Sequence, residues 1–205
     1  MRRPRTMALT WMAAAWMASG ARAQGLEMAR GGKAACVIYA DAAAPKSVKL
    51  AAEELQRVVA VATGAKLPIV NAPAQPMVCL GDNDAARKAG LSSEKMADES
   101  FRIVTKDGNL FIIGKDWPDN DKKWIRCDST GTLFGVYEFL ERVVGVRWLM
   151  PGDEGEDIPP RPEGLTAPAM DLSDAPGVQA RKLNCRGKES DVWLRRMRMG
   201  ASVWP

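Results

Sequence analysis

The sequence predicts an α/β sandwich: a mixed sheet with two main helices packed mostly on one face. Three observations carry this expectation. Residues 46–63 and 131–144 have the apolar spacing of amphipathic helices. Short apolar runs bounded by Pro and Gly alternate with them and read as strands. Finally, Asp107-Gly108 lies between the runs 101–104 and 110–113. It is a type I′ turn dipeptide, which makes part of the sheet antiparallel.

Taken in chain order, residues 34–40, AACVIYA, read as a short buried strand. A helix is expected from Pro45-Lys46-Ser47 to about Thr63, because Val48, Ala51, Ala52, Leu55, Val58, Val59 and Ala62 follow the i, i+3, i+4, i+7 rule. Glu53, Glu54, Gln56 and Arg57 then fall on its outer face, and Gly64 is a fitting stop. Leu67–Val70 and Met77–Leu80 read as strands, and residues 84–90 as one or two helical turns. After the hairpin and a polar loop, Gly131–Val144 reads as the second helix, with Leu133, Val136, Tyr137 and Leu140 inward and Gly145 ending it. Val146–Met150 is strand-like. Residues 151–168, with five prolines among acids and glycines, read as a linker or surface loop. Residues 169–183 have room for one or two strands, and residues 189–199 are basic around Trp193.

The N-terminus divides the chain before any of these elements. Arg2, Arg3 and Arg5 form a basic region, Met7–Ser19 is apolar, and Ala21-Arg22-Ala23 is a small-x-small cleavage site before Gln24. Residues 1–23 therefore read as a secretory signal peptide, and the protein is expected to be exported to the periplasm or beyond the cell. The apolar stretch is shorter than the roughly 20 residues a spanning helix needs, so no membrane partner is expected after cleavage. The 205-residue chain carries a formal charge of +4. Residues 1–23 hold Arg2, Arg3, Arg5 and Arg22 and no acid, so the remaining chain is neutral. That gives no electrostatic case for nucleic acid.

The chain contains no His, which excludes Ser-His-Asp triads, Cys-His dyads and imidazole metal sites. Cys36, Cys79, Cys127 and Cys185 have no CxxC spacing. Cys36 and Cys79 sit in apolar runs and read as small buried hydrophobes, while Cys127 and Cys185 lie in polar stretches where they could pair. No phosphate loop, GxGxxG, GxSxG, HExxH or EF-hand pattern is present, and no cofactor or metal is expected. The loop 152–157 holds Asp153, Glu154, Glu156 and Asp157. A hard-cation site and a glycosidase acid pair both fit the residue types, and a solvated acidic loop is the favoured reading. Trp117 and Trp124, among acids and lysines, are candidate stacking faces for sugar rings, against the alternative that they pack their loop onto the domain. Arg147 beside Trp148 is a candidate carboxylate binder, against pairing with the acidic loop. Gly131 and Gly135 form a GxxxG pattern, read as close approach of a helix to the sheet.

Three blocks in order carry a family resemblance. They are Ala51-Ala52-Glu53-Glu54-Leu55-Gln56 with Thr63-Gly64-Ala65-Lys66-Leu67-Pro68; Ser100-Phe101-Arg102-Ile103 with Leu110-Phe111-Ile112-Ile113-Gly114; and Gly131–Glu141. Together they resemble the N-terminal, non-catalytic α/β domain that precedes the barrel in family 67 α-glucuronidases and family 20 hexosaminidases, and most of all a group of large secreted bacterial proteins of unknown function. In that group the run Gly145–Gly152 also has a counterpart. The resemblance covers residues 34–183. It implies a carbohydrate-active parent, glycans containing uronic acid among its candidate substrates, with the catalytic carboxylates in a downstream (β/α)₈ barrel starting near Ala180. Residues 24–168 would then be the accessory domain, and 169–205 a linker and the cut start of the barrel. The family 67 motif Asn-His-Trp-Asp at the first barrel strand is matched here only at Asn184, in Leu183-Asn184-Cys185-Arg186-Gly187. No catalytic residue is implied within this chain. The other functions open to it are a stand-alone carbohydrate-binding module and a structural interaction domain.

Overall fold

The computed structural model describes residues 24–118, 130–178, 181, 183 and 187–199. Strands β1 (Leu26–Arg30), β2 (Lys33–Ala34) and β3 (Val37–Ala40) lead to α1 (Lys46–Thr63), β4 (Ile69–Val70), β5 (Met77–Leu80) and α2 (Asp84–Lys88). The hairpin β6 (Phe101–Lys106) and β7 (Asn109–Gly114) follows. Then come α3 (Gly131–Phe139), which continues into a π turn (Leu140–Val144), β8 (Arg147–Trp148), β9 (Glu156–Asp157), β10 (Gly164–Ala167), β11 (Asp171–Asp174) and α4 (Lys188–Arg196).

The main sheet has six strands in the order β11-β6-β7-β5-β3-β4. The pairs β3/β4, β3/β5 and β5/β7 are parallel, while β6/β7 and β6/β11 are antiparallel. The sheet is thus mixed, as the Asp107-Gly108 turn requires. Those two residues have φ of 50° and 72°, both positive as a type I′ turn demands. Alternation along each strand divides the side chains between two faces. Ile38, Ala40, Val78, Leu80, Ile103, Leu110 and Ile112 face the main core with α1 and α3. Tyr39, Cys79, Val104, Phe111 and Ile113 face a smaller cluster closed by Ala86 of α2 and Leu91.

Helix α1 spans the expected residues and buries the expected stripe. Glu54, expected on its outer face, is instead buried. The reason is that another helix, α4, covers that side. The second helix starts at Gly131 but loses regular α geometry at Leu140. Residues 34–40 do not form one strand. Ala34 pairs with β1, and only Val37–Ala40 enters the main sheet. Residues 151–168 are also more than a loop, because β9 pairs with β8 and β10 pairs with β1. The resulting small sheet, in the order β10-β1-β2, adds Leu26, Met28, Leu165 and Ala167 to the main core. Beyond Pro168, β11 forms an edge of the main sheet. No helix among the described residues is long and apolar enough to cross a membrane.

The GxxxG pattern does its expected work. A Cβ on Gly131 would lie 2.2 Å from the Ser100 carbonyl oxygen, and one on Gly135 would lie 2.7 Å from Ile112 Cγ2. The start of α3 therefore rests directly on β6 and β7. Asp116 receives this end of the helix: its Oδ1 accepts the Thr132 N–H at 3.1 Å, and its Oδ2 accepts the Thr132 hydroxyl. Gly135→Ala is expected to lower stability by about 1–3 kcal/mol through overpacking, although Ala is the better helix former by about 1 kcal/mol. Gly177→Ala, whose Cβ meets nothing within 4 Å, is the neutral control. Urea unfolding of the two variants checks this, and a Gly135→Ala protein as stable as the parent would contradict the close approach.

Candidate functional site

The sequence-predicted residues are not brought together at one surface. Trp124 and Asn184 lie outside the described residues, as do Cys127 and Cys185. Trp117 is 42% exposed, and its Nε1 donates to Asp98 Oδ1 at 3.0 Å, which fixes the indole while leaving much of it open. Arg147 is exposed, and its guanidinium donates to the Val146 carbonyl at 3.0 Å. Its backbone pairs with Asp157 of the acidic loop, while the ion pairs to that loop's Glu156 come from Arg57 and Arg196. Trp148 is 5% exposed and belongs to the core.

Among the described residues, a densely connected polar site is built around Trp148. The β8–β9 pairing sets Trp148 opposite Glu156, and the indole Nε1 donates to Glu156 Oε1 at 2.8 Å. From α1, Arg57 donates to both oxygens of Glu156 at 2.7 and 2.8 Å, a bidentate pair, and reaches Glu54 at 3.2 Å. From α3, the Tyr137 ring meets Trp148 edge to face, with centroids 5.3 Å apart and planes at 76°. From α4, Arg196 lies 3.2 Å from Glu54 and 3.3 Å from Glu156, with its guanidinium carbon 5.9 Å from the Trp148 ring centroid. Trp193 Nε1 donates to the Trp148 carbonyl at 3.0 Å. A second group lies just past α4, where Arg198 pairs with Glu138 and, at 2.5 Å, with Glu141, while Arg142 also holds Glu138.

Both groups match carboxylates with guanidinium groups, and the matching sets their protonation. Burial pushes the Glu156 carboxyl up, but hydrogen bonds from Arg57 and Trp148 and the charge of Arg196 outweigh it and hold Glu156 below the usual Glu range. Glu138 behaves alike: burial is outweighed by Arg142 and Arg198. Burial wins at Glu141, which is raised despite Arg198. Burial would also lower the Arg57 guanidinium, yet Glu156 and Glu54 raise it further. Burial pushes the Tyr137 hydroxyl up to about 12. The Cys36 and Cys79 thiols, free and buried, are pushed by burial to about 12 and about 11. Glu156, Glu138, Arg57, Tyr137 and the two thiols thus keep one protonation state near neutral pH and hold structure rather than transfer protons. Of the acidic loop, Asp153, Glu154 and Asp157 are not buried. Among the described residues no group of three or more Cys, Asp or Glu is placed to hold a metal ion.

Sequence reasoning misses the partners of this lock. Periodicity puts Glu54 and Arg57 on an outer face, and it leaves Arg196 and Arg198 in a basic segment with no assigned role. The available signal is charge complementarity, since the basic run 195–198 faces the acids of α1 and of the second helix.

The depressed carboxylates make stability depend on pH. Glu156 and Glu138 are lowered from an ordinary value of 4.5, so their stabilisation is complete above that pH and is lost as the pH falls through their folded values below it. Glu141, raised, acts with the opposite sign. Glu156→Gln leaves Arg57 and Arg196 short of one partner and is expected to cost on the order of 2–3 kcal/mol at pH 7. It should also shrink the loss of stability on acidification below pH 4.5. Unfolding midpoints of parent and variant from pH 7 to pH 3 check both, and parallel pH profiles would contradict the assignment.

No family model matches the chain. No curated protein matches it. Among solved structures, the chain is similar to the family 20 β-N-acetylhexosaminidase of Streptomyces coelicolor A3(2), with 14% identity and a TM-score of 0.49, over 77% of this chain and 25% of that one. It is similar to a family 115 4-O-methyl-α-glucuronidase with specificity for decorated arabinogalactans, with 18% identity and a TM-score of 0.48, over 75% of this chain and 19% of that one. A variant β-hexosaminidase of Streptomyces plicatus bound to its GlcNAc product gives 15% identity and a TM-score of 0.48, over 77% of this chain and 24% of that one. The chain thus spans a quarter or less of the length of each enzyme. Likeness at this level carries no argument about activity or substrate.

Proposed function

We propose that the chain is the N-terminal, non-catalytic domain of an exported glycoside hydrolase-like protein, and that it carries and positions a downstream (β/α)₈ barrel holding the catalytic carboxylates. The observation that supports this best is the docking of α4. A nine-residue helix is marginal alone in water, yet α4 is fastened to α1, β8 and the end of the second helix by Arg196, Arg198 and Trp193. A domain that holds the segment after its own sheet so firmly is suited to fixing the orientation of a barrel joined to it. Leu149, 73% exposed, and Met150 come directly after Trp148, and Met197 lies one helical turn beyond Trp193. Exposed apolar side chains flanking the docked helix suit a further protein surface. The carbohydrate class comes from the three ordered sequence blocks, and export from residues 1–23. Uronic-acid-containing glycans are one candidate substrate of the whole protein.

Trp117 favours a second reading, a carbohydrate-binding surface, because its indole is both exposed and held by Asp98. Assays on aryl glycosides and uronosyl-xylo-oligosaccharides separate these readings. The accessory-domain reading expects no turnover by the 205-residue chain and turnover once the region encoded after it is included. Turnover by this chain alone would overturn it. Retention on a glycan affinity gel that Trp117→Ala abolishes would favour the second reading.

A further inference from the structure

The main sheet changes the side of its connections between two neighbouring strands. From the end of β3 the chain passes through Asp41 to Pro45 into α1, on the main-core face. From the end of the adjacent β5 it passes through Gly81 to Asn83 into α2, on the opposite face. Connections that leave adjacent parallel strands toward opposite faces open a crevice at their carboxyl ends, the place where open α/β sheets take ligands. A recess of about 320 Å³ lies there, at the small end of the roughly 300–1,000 Å³ range of small-molecule sites. Gly114, the last residue of β7, and Asp116 just beyond it complete the lining.

The lining fixes the chemistry of an occupant. Its charged groups are Asp41, Asp82, Asp84 and Asp116 against Arg87, while Val48 and Leu80 behind them are buried in the core. Arg87 already pairs with Asp82 and Asp84, both at 2.7 Å. An anion would meet uncompensated carboxylates. The side chains that make the crevice are held in place: Asp41 accepts from the Ala43 N–H at 2.8 Å and from the Tyr39 hydroxyl at 3.2 Å, and Asp82 accepts from the Ser93 N–H at 2.7 Å. A carboxylate offers about four acceptor positions, and the described contacts occupy two on Asp41 and two on Asp116. The crevice therefore presents preorganised acceptors to a ligand that donates.

We propose that this crevice binds a neutral, hydroxyl-rich molecule of about monosaccharide size, whose hydroxyls donate to Asp41 and Asp116. Asp116 suits hydroxyls in a second way. Burial pushes its carboxyl up to about 7 against the hydrogen bonds from Thr132, so near neutral pH it both accepts and donates, as a hydroxyl does. The site is separate from the α4 lock and stands whether or not a barrel follows.

Calorimetric titration of the full chain with D-xylose, D-galactose, D-mannose and N-acetyl-D-glucosamine tests this, with D-glucuronate, D-glucosamine and calcium chloride as controls. At least one neutral sugar is expected to bind saturably with a Kd of about 1 mM. Ala43→Trp, which places an indole at the mouth from an exposed position, and Asp41→Asn are each expected to weaken that binding at least about tenfold, with folding confirmed by unchanged circular dichroism. The proposal is overturned if no neutral sugar binds, if binding is undiminished in a folded Ala43→Trp protein, or if only glucosamine or calcium binds.

Discussion

Two glutamates and two arginines around the Trp148 indole join parts of the chain that are far apart in sequence. Arg57 and Glu156 are 99 residues apart, and Arg196 and Glu54 are 142 apart. Taking such charges out of water costs several kcal/mol per ion, which a single exposed pair would not recover. Here the cost is offset by multiplicity. Glu156 receives a bidentate Arg57, the Trp148 Nε1–H and Arg196, and Glu54 receives both guanidinium groups. The lock ties α1, the β8–β9 pair and α4 together at one point. Each arginine reaches both glutamates, so removing any one member leaves the others short of a partner and the site acts as a unit rather than as separable bonds.

The lock depends in turn on how tightly the second helix lies on the sheet. Gly131 and Gly135 bring α3 down onto β6 and β7, which sets the height of Tyr137 and places its ring against Trp148. Tyr137 and Phe139 are fully buried, so this height is fixed by packing on both sides. The π turn at Leu140–Val144 ends the helix where Val144 and Val146 enter the core ahead of β8. Glycine spacing in the sequence thus connects to the position of an indole one element later.

The local features are legible in the sequence. The stripe of α1, the hairpin turn and the GxxxG contact are each set by residues within a few positions of one another, and periodicity or turn chemistry reports them directly. The strand β10 is not legible, because Gly164–Ala167 becomes a strand only by pairing with β1 across more than 130 residues of chain; the β1–β2 hairpin leaves only a short local trace, the Gly31-Gly32 turn with both φ positive. Glu54 looks solvated because its partner lies on a helix that periodicity does not mark. In the crevice a signal is present: Asp41, Asp82 and Asp116 each come one or two residues after a parallel strand. Spacing alone does not show that three such loops converge; strand order does.

Helix α4 belongs to this domain through the Arg–Glu lock and the Trp193 bond. Amide hydrogen exchange across residues 191–197 of the full chain at pH 7 reads this docking, because a helix of nine residues has almost no protection of its own. These amides are expected to exchange at least about a hundredfold slower than an unstructured chain, the equivalent of roughly 2.7 kcal/mol. Exchange at the unstructured rate would contradict it.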